Sequence, residues 1–522
     1  MLSIKMNHVK IEAQGDLLIE IPQLNVTRGA KIGIIGRNGT GKTTLLETIA
    51  SLREATSGEI ITFDQIGYLQ QIQPVSENLS GGEQTRKLIQ QILRESPAIL
   101  LVDEPTSNLD LASIRYLEHQ LKQYSGTILV ISHDRTFLDA VVDTIWQLED
   151  KKITVYPGNY TAYLKSKNHE IKQQEKFYAE YQAKRKQLDL AIRHHQKEAN
   201  KMERPSKRLT SQEIRAARPS KGVQQKKQHQ TIKAIEKRVE RLDKVSKPFQ
   251  SKPVKITVPE AYQLKRGGTV LTVKEAELFA GKNKLFKTNP YSVKAGDKVA
   301  ITGQNATGKS SFLGALLDPE NKDFQLTQGV HVAYFDQHLK DIKLEATLLE
   351  NVAFGNAYDR NTTFEVLGSF HFSELDWQKK AAFLSGGERV KLFLAMQLLK
   401  GANILILDEP TNYLDIESME ALEQLLKKYD GTVLFVSHDR TFVKNIATEV
   451  IEIRDEKMYY HKQGLDEMEE KPRTQEEKLR LELRQSEIAA KLMNPKLSMA
   501  EKTVLDQEYV KNSQALNNFR KR

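Results

Sequence analysis

Two stretches of this chain carry the residues a phosphate needs. Gly36, Arg37, Asn38, Gly39, Thr40, Gly41, Lys42, Thr43 and Thr44 form the first, and Gly303, Gln304, Asn305, Ala306, Thr307, Gly308, Lys309, Ser310 and Ser311 the second. Both satisfy G-x-x-x-x-G-K-[ST], in which glycines let successive N–H groups close around phosphate oxygens at a helix N-terminus. Lys42 and Lys309 are expected to reach the β- and γ-phosphates, and Thr43 and Ser310 to offer hydroxyls to Mg²⁺. One chance match in a chain this long has a probability of roughly a few per cent. Two matches, each behind an apolar strand (Lys31–Ile35 and Lys298–Thr302), rule coincidence out. Ala306 stands where the first copy has Gly39, and its methyl is compatible with phosphate binding if φ there is negative.

Each loop is followed by the same ordered set. Apolar strands Ile99–Asp103 and Ile404–Asp408 end in Asp-Glu. Asp103 and Asp408 are placed to hold Mg²⁺ through water, and Glu104 and Glu409 to polarise the attacking water. Acids that merely finish a strand are the simpler alternative, but the order of parts recurs twice. Gln71 and Gln337 can sense both Mg²⁺ and that water. A lone histidine is more often structural; His133 and His438 each sit in S-H-D-R after an apolar strand, where they can contact a γ-phosphate. L-S-G-G-E also occurs twice, so Ser80, Gly81 and Gly82, and Ser385, Gly386 and Gly387, make N–H-rich helix starts suited to a phosphate.

The elements that position these residues repeat with an uneven offset. Lys42 and Lys309 lie 267 apart and Gln71 and Gln337 lie 266 apart, whereas Ser80 and Ser385, Glu104 and Glu409, and His133 and His438 lie 305 apart. The second copy therefore holds an insert, Leu339–Ala382, whose Leu349, Val352, Phe354, Leu367, Phe370, Phe372 and Trp377 suggest a small helical subdomain. In the first copy Ile72–Asn78 is only a loop.

Between the copies lies a connector, residues 164–247. Leu164, Ile171, Tyr178, Tyr181, Leu188 and Ile192 recur at heptad-like spacing, as do Ile232, Ile235, Val239 and Leu242, predicting two long helices folded back on each other. Pro205 and Pro219 bracket a break, with a capping box at Thr210–Glu213 between them. An arm of some 35 residues would reach roughly 50 Å, which sets the tip Asn200–Lys227 far from both loops. The tail from about Leu465 is charged and expected to be helical, with Ser498–Glu501 as a further capping box.

The 522 residues suffice for several cores, and no apolar run approaches a membrane span. Met1–Lys10 lacks a signal-peptide core, and zero cysteines exclude disulfides and Cys-ligated zinc. These point to a cytoplasmic protein. The net charge of +10 is local: residues 161–250 hold 24 Lys/Arg against 10 Asp/Glu. Charge concentrated in one connector is the footprint of a polyanion-binding arm, or else a solvated helical surface.

The full motif set resembles tandem ATP-binding cassette (ABC) proteins, in which cassettes face head to tail and each completes the other's site. The resemblance implies an α/β fold of two P-loop nucleotide-binding domains. It pairs Lys42, Glu104 and His133 with Ser385, and Lys309, Glu409 and His438 with Ser80, with Ser107–Asp110 and Asn412–Asp415 between them. Expected domains are 1–163, a connector 164–256 built as an antiparallel helical hairpin, 257–462, and a helical extension 463–522. Two cassettes, a basic connector and no membrane domain resemble the ABC-F ATPases. A first cassette without an arm insertion resembles in particular the Vga-like antibiotic-resistance group of Gram-positive bacteria.

That resemblance implies ATP and Mg²⁺ as ligands and a monomer acting on the bacterial 70S ribosome. The connector would enter through the tRNA exit site towards 23S rRNA and P-site tRNA, protecting against lincosamides, pleuromutilins and streptogramin A. Tip residues placed to meet RNA are Lys201, Arg204, Lys207, Arg208, Ser211, Gln212, Arg215, Arg218 and Lys221. The alternatives are a housekeeping ABC-F translation factor, an exporter ATPase needing a separate membrane partner, and a DNA-repair ATPase, whose zinc module this chain has no cysteines to build.

Overall fold

The computed structural model describes residues 1–70 except 14, 95–203 except 108, and 226–238 except 228 and 229; from 255–462 it leaves out 266, 282, 337, 338, 340 and 413, and beyond 462 it describes scattered positions between 481 and 516. Two compact units emerge: Met1–Thr154 together with Lys252–Arg522, and Val155–Ser251.

In the first unit each copy is built on a parallel sheet. The first runs in the order Ile66–Leu69, Ile99–Asp103, Thr127–Ile131, Lys31–Gly36, Thr144–Glu149, with Lys152–Pro157 at its edge. The second runs Val332–Phe335, Ile404–Asp408, Thr432–Val436, Lys298–Gly303, Glu449–Arg454, and then continues through three further strands. Registers match: Lys31 pairs with Ile128 and Lys298 with Val433, both parallel. Strands buried on both faces must be apolar throughout. Ile99–Val102 and Ile404–Leu407 are accordingly all buried.

This strand order explains why residues a hundred positions apart meet. The P-loop, the Asp-Glu pair and the S-H-D-R histidine each follow the carboxyl end of one of three adjacent parallel strands, so they open on one edge of the sheet. A smaller antiparallel sheet of Leu2–Ala13, Asp16–Thr27 and Ser57–Thr62 covers the first copy. Alternation buries its Ile4, Met6 and Ile11 against Leu45, Leu46 and Ile49 of the P-loop helix Lys42–Ile49. In the second copy the matching ribbon is split: Asn283–Lys287 joins the main sheet while Tyr291–Lys294 stays in the small one. Pro290, with no N–H to give a ladder, lies in the break.

The insert of the second copy is helical, with Leu348–Ala353 and Arg360–Ser369 ahead of the helix Gly386–Leu399. Val352, Leu367, Phe370 and Phe372 are buried, and Trp377 stacks on Phe364 at 4.1 Å. Phe354 departs from the sequence expectation. It is 68% exposed, with the Lys343 ammonium 4.2 Å from its ring centre.

The second unit carries one 44-residue helix, Tyr160–Glu203, longer than the expected arm. It starts before Leu164 because the Asn159 side chain accepts from Ala162 N. Leu164, Ile171, Tyr178, Tyr181, Leu188 and Ile192 are half-buried along one stripe, whereas Phe177 and Leu190 off the stripe are exposed. Ile232 is buried and Ile235 half-buried, while Val239 and Leu242 lie outside the described residues. So do Pro205, Pro219 and the capping boxes at Thr210 and Ser498. In the tail the described positions are helical and cross-linked: Arg484 pairs with Glu508, and Asn512 donates to Leu481 O. No helix among the described residues is long and apolar enough to cross a membrane.

Candidate functional site

Each P-loop turns through a glycine that only a missing side chain permits. Gly41 and Gly308 have φ of 97° and 96°, and a Cβ would lie 3.2 Å from Leu18 and 2.8 Å from Leu285. Lys42 Nζ donates to Gly36 O and Arg37 O at 2.7 and 2.9 Å, and Lys309 Nζ to Gly303 O and Gln304 O at 3.1 and 2.8 Å. Burial lowers both ammonium pKa values against the pull of the nearby carboxylates. The negative φ on which the compatibility of the Ala306 methyl is conditioned is not found. Ala306 sits at 62°, the left-handed region that Gly39 occupies at 81°. A non-glycine residue there costs about 1–2 kcal/mol.

Beside each loop two hard oxygens converge. The Thr43 hydroxyl faces Asp103 and the Ser310 hydroxyl faces Asp408, each favouring the ionised carboxylate against the effect of burial. Asp103 Oδ2 and Asp408 Oδ1 are buried with no hydrogen-bond partner. A hydroxyl next to an orphaned buried carboxylate oxygen is the donor set Mg²⁺ prefers, so these residues fit the ion.

Glu104 and Glu409 have φ of 47° and 48°, and their N–H groups are held by Ile131 O and Val436 O. Burial pushes each carboxyl up to about 7, with Lys42 and Lys309 pulling the other way. One oxygen of each, Oε1, is buried and unbonded. His133 Nε2 lies 3.3 Å from Glu104 Oε1, and His438 Nε2 3.4 Å from Glu409 Oε1. These are not ion pairs, because burial, aided by Lys42 and Lys309, pushes both imidazoles down to about 3 and leaves them neutral. Each site thus holds a carboxyl able to exchange a proton near neutrality beside a neutral imidazole.

Cavities join these parts across the two copies. One of about 340 Å³ is lined by Asn38, Lys42, Thr43, Asp103, Glu104 and His133 together with Ser385 and Gly387 of the second copy. Ser385 caps the helix Gly386–Leu399 through a capping box with Glu388. The other, about 450 Å³, brings Asn305, Lys309, Ser310, Asp408, Glu409 and His438 against Ser107 and Leu109 of the first copy. Ser80, Gly81, Gly82, Gln71 and Gln337 lie outside the described residues. So do the tip candidates Arg204, Lys207, Arg208, Ser211, Gln212, Arg215, Arg218 and Lys221; Lys201 is in the last turn of the long helix.

Asp415 ends the segment Asn412–Asp415 expected between the sites, but its contacts and several further partners were not read from the sequence. Asp415 caps the helix Ile416–Lys428, accepts from Lys391 Nζ at 2.8 Å and from the opposite P-loop at Asn38 N, 3.2 Å away. Burial alone would raise its carboxyl, but the Lys391 ammonium holds it well below the usual range. The arginines of S-H-D-R also cross over: Arg135 pairs with buried Glu423, and Arg440 lies 3.6 Å from Glu118. Thr136 and Thr441, equivalent by the 305-residue offset, meet each other at 3.0 Å. Leu18 and Leu285 line the cavities, where an aliphatic side chain can lie against a flat base. Their recurrence at an offset of 267 was the available signal.

Comparison with known proteins agrees with this arrangement. A family profile described as ABC transporter matches residues 19–73 and 286–412, and a second so described matches 146–256. The chain is 31% identical over 495 residues to the erythromycin resistance ATP-binding protein MsrA of Staphylococcus epidermidis, covering 88% of this chain and 99% of that one. It is 31% identical over 560 aligned residues to the ribosome protection protein VmlR of Bacillus subtilis, covering 99% and 97%. Among solved structures an RNase-L inhibitor has the same fold, with a TM-score of 0.59 at 18% identity over 88% of this chain and 91% of its own.

Proposed function

For a chain that belongs to the ABC-F ATPases, we propose protection of the bacterial ribosome against antibiotics that act at the peptidyl-transferase centre: lincosamides, pleuromutilins and streptogramin A. The observation that carries this reading is the end-to-end likeness to a named ribosome protection protein, 99% of this chain against 97% of that one. The basic connector lies within the likeness, and contacts from such an arm to RNA phosphates supply affinity without a membrane partner.

In this reading ATP spans each composite site and draws the cassettes together. The P-loop amides and Lys42 or Lys309 grip its phosphates, and the Ser385 or Ser80 helix start closes on the γ-phosphate from the other side. Mg²⁺, held at Thr43 and Asp103 and at Ser310 and Asp408, neutralises phosphate charge when bound. Glu104 and Glu409 take the proton of the attacking water while His133 and His438 orient the γ-phosphate, and Gln71 and Gln337 complete the sites. The closed cassettes fix the connector, which docks through the tRNA exit site and inserts Asn200–Lys227, displacing P-site tRNA and drug. Hydrolysis reopens the pair and releases the protein. The protein works as a monomer in the cytoplasm, bound to ribosomes.

The test is cosedimentation of the Glu104→Gln/Glu409→Gln chain with 70S ribosomes, with and without ATP, followed by drug susceptibility of cells expressing the unmodified chain. ATP-dependent pelleting with raised tolerance supports protection. Erythromycin belongs in the panel because the staphylococcal relative is named for it. Pelleting without any change in susceptibility would leave a housekeeping translation factor. No pelleting would end the ribosomal reading.

A further inference from the structure

Among the described residues, the Lys42 site carries a charged contact that the sequence cannot repeat at the Lys309 site. Arg37, inside the first P-loop, pairs through Nε with Glu417 Oε2 of the second cassette at 2.6 Å. Glu417 sits in the first turn of the helix capped by Asp415, whose other carboxylate oxygen accepts from Asn38 N, the residue next to Arg37. His371, from the helical insert, brings its Nε2 to 3.5 Å from the same Glu417 oxygen and is held in the left-handed conformation at φ 64°. Burial, reinforced by Arg37, lowers the His371 pKa, so the imidazole meets Glu417 mainly as a neutral neighbour.

None of this chemistry can be repeated at the other site. The equivalent of Arg37 is Gln304, the equivalent of Glu417 is Ala112, and the first cassette has no insert to supply a histidine. Asp110, by contrast, matches Asp415, so the helix-capping aspartate is common to both sites. The charged contact is therefore specific to the Lys42 site.

We propose that Arg37, Glu417 and His371 form a latch that makes the two ATP sites unequal. The latch ties the P-loop around Lys42 to the cassette that carries Ser385, so this site holds nucleotide longer and the Lys309 site opens first. Rocking about the latched side lets one hydrolysis event loosen the pair without separating it. Glu417 and Arg37 are positioning residues here: they act on nucleotide through the P-loop they hold. The proposal rests on the reading of two composite sites given above.

Release of a fluorescent ATP analogue from the full chain tests it without reference to hydrolysis. The unmodified protein releases in two phases. Glu417→Gln accelerates only the slow phase, about three- to tenfold, as a half-exposed ion pair allows. Lys42→Ala removes the slow phase and with it any effect of Glu417→Gln; Lys309→Ala removes the fast phase and leaves the effect intact. Raising KCl speeds slow release in the unmodified chain but not in Glu417→Gln, because an exposed pair is screened. Arg37→Lys, which keeps the positive charge opposite Glu417, retains slow release, whereas Arg37→Gln accelerates it as Glu417→Gln does. A Glu417→Gln effect that persists in Lys42→Ala, or equal release from both sites, overturns the latch. If neither lysine variant removes a phase, the composite-site reading itself falls and takes the latch with it.

Discussion

At the scale of single residues the proposed chemistry turns on Glu104 and Glu409. Each is buried at the end of an acidic strand, lifted to about 7, and paired with an imidazole that stays neutral down to about 3. A carboxyl acting as base must be ionised, so lowering the pH through 7 removes the active form. The expected profile of kcat/KM for ATP rises tenfold per pH unit below about 7 and is flat above. A midpoint near the usual glutamate value of about 4.3 would show that the burial seen here does not govern the reacting state. Ala306 makes a separate point. Nothing lies within 4 Å of a Cβ added at its counterpart Gly39, so backbone strain, not crowding, distinguishes the two loops.

At the scale of elements, adjacent parallel strands deliver three motifs to one edge, and two seven-residue helices join the copies. Arg135–Val141 and Arg440–Ile446 meet through Thr136 and Thr441, and each sends its arginine to a glutamate on the opposite cassette. The two arginines are not equal. Arg135 and Glu423 side chains are 8% and 4% exposed, against 21% and 15% for Arg440 and Glu118. Removing one member of a buried pair strands the other, at a cost of roughly 3 kcal/mol, whereas a more accessible pair is worth about 1 kcal/mol or less. Arg135→Ala is therefore expected to lower the urea midpoint several times further than Arg440→Ala. Equal shifts would refute burial as the deciding factor.

At the scale of the whole molecule the charge distribution separates labour. The cassettes bind and hydrolyse ATP, and the positive charge sits in the connector, where 24 basic residues face 10 acidic ones over 161–250. If that arm reaches ribosomal RNA, its affinity must fall steeply with salt. Replacing Arg204, Lys207 and Arg208 together by serine is expected to weaken 70S binding and flatten the log Kd against log[KCl] slope by about 2–3. An unchanged slope would place these three side chains away from phosphate.

The sequence by itself determined the nucleotide chemistry, the duplication and the class of fold. P-loop, Asp-Glu strand and S-H-D-R are local patterns, each fixed by backbone geometry within a few residues, so their types and order suffice. The heptad-like stripe from Leu164 to Ile192 was legible for the same reason: a helix repeats its environment along the chain. Only the tertiary structure decided what meets what. The contacts of Asp415 with Asn38, Glu417 with Arg37 and Arg135 with Glu423 join residues some 290 to 380 positions apart. No periodicity encodes such pairs, because packing of the two cassettes selects them. Likewise the exposure of Phe354 follows from how the insert packs around it, which residue type alone does not specify.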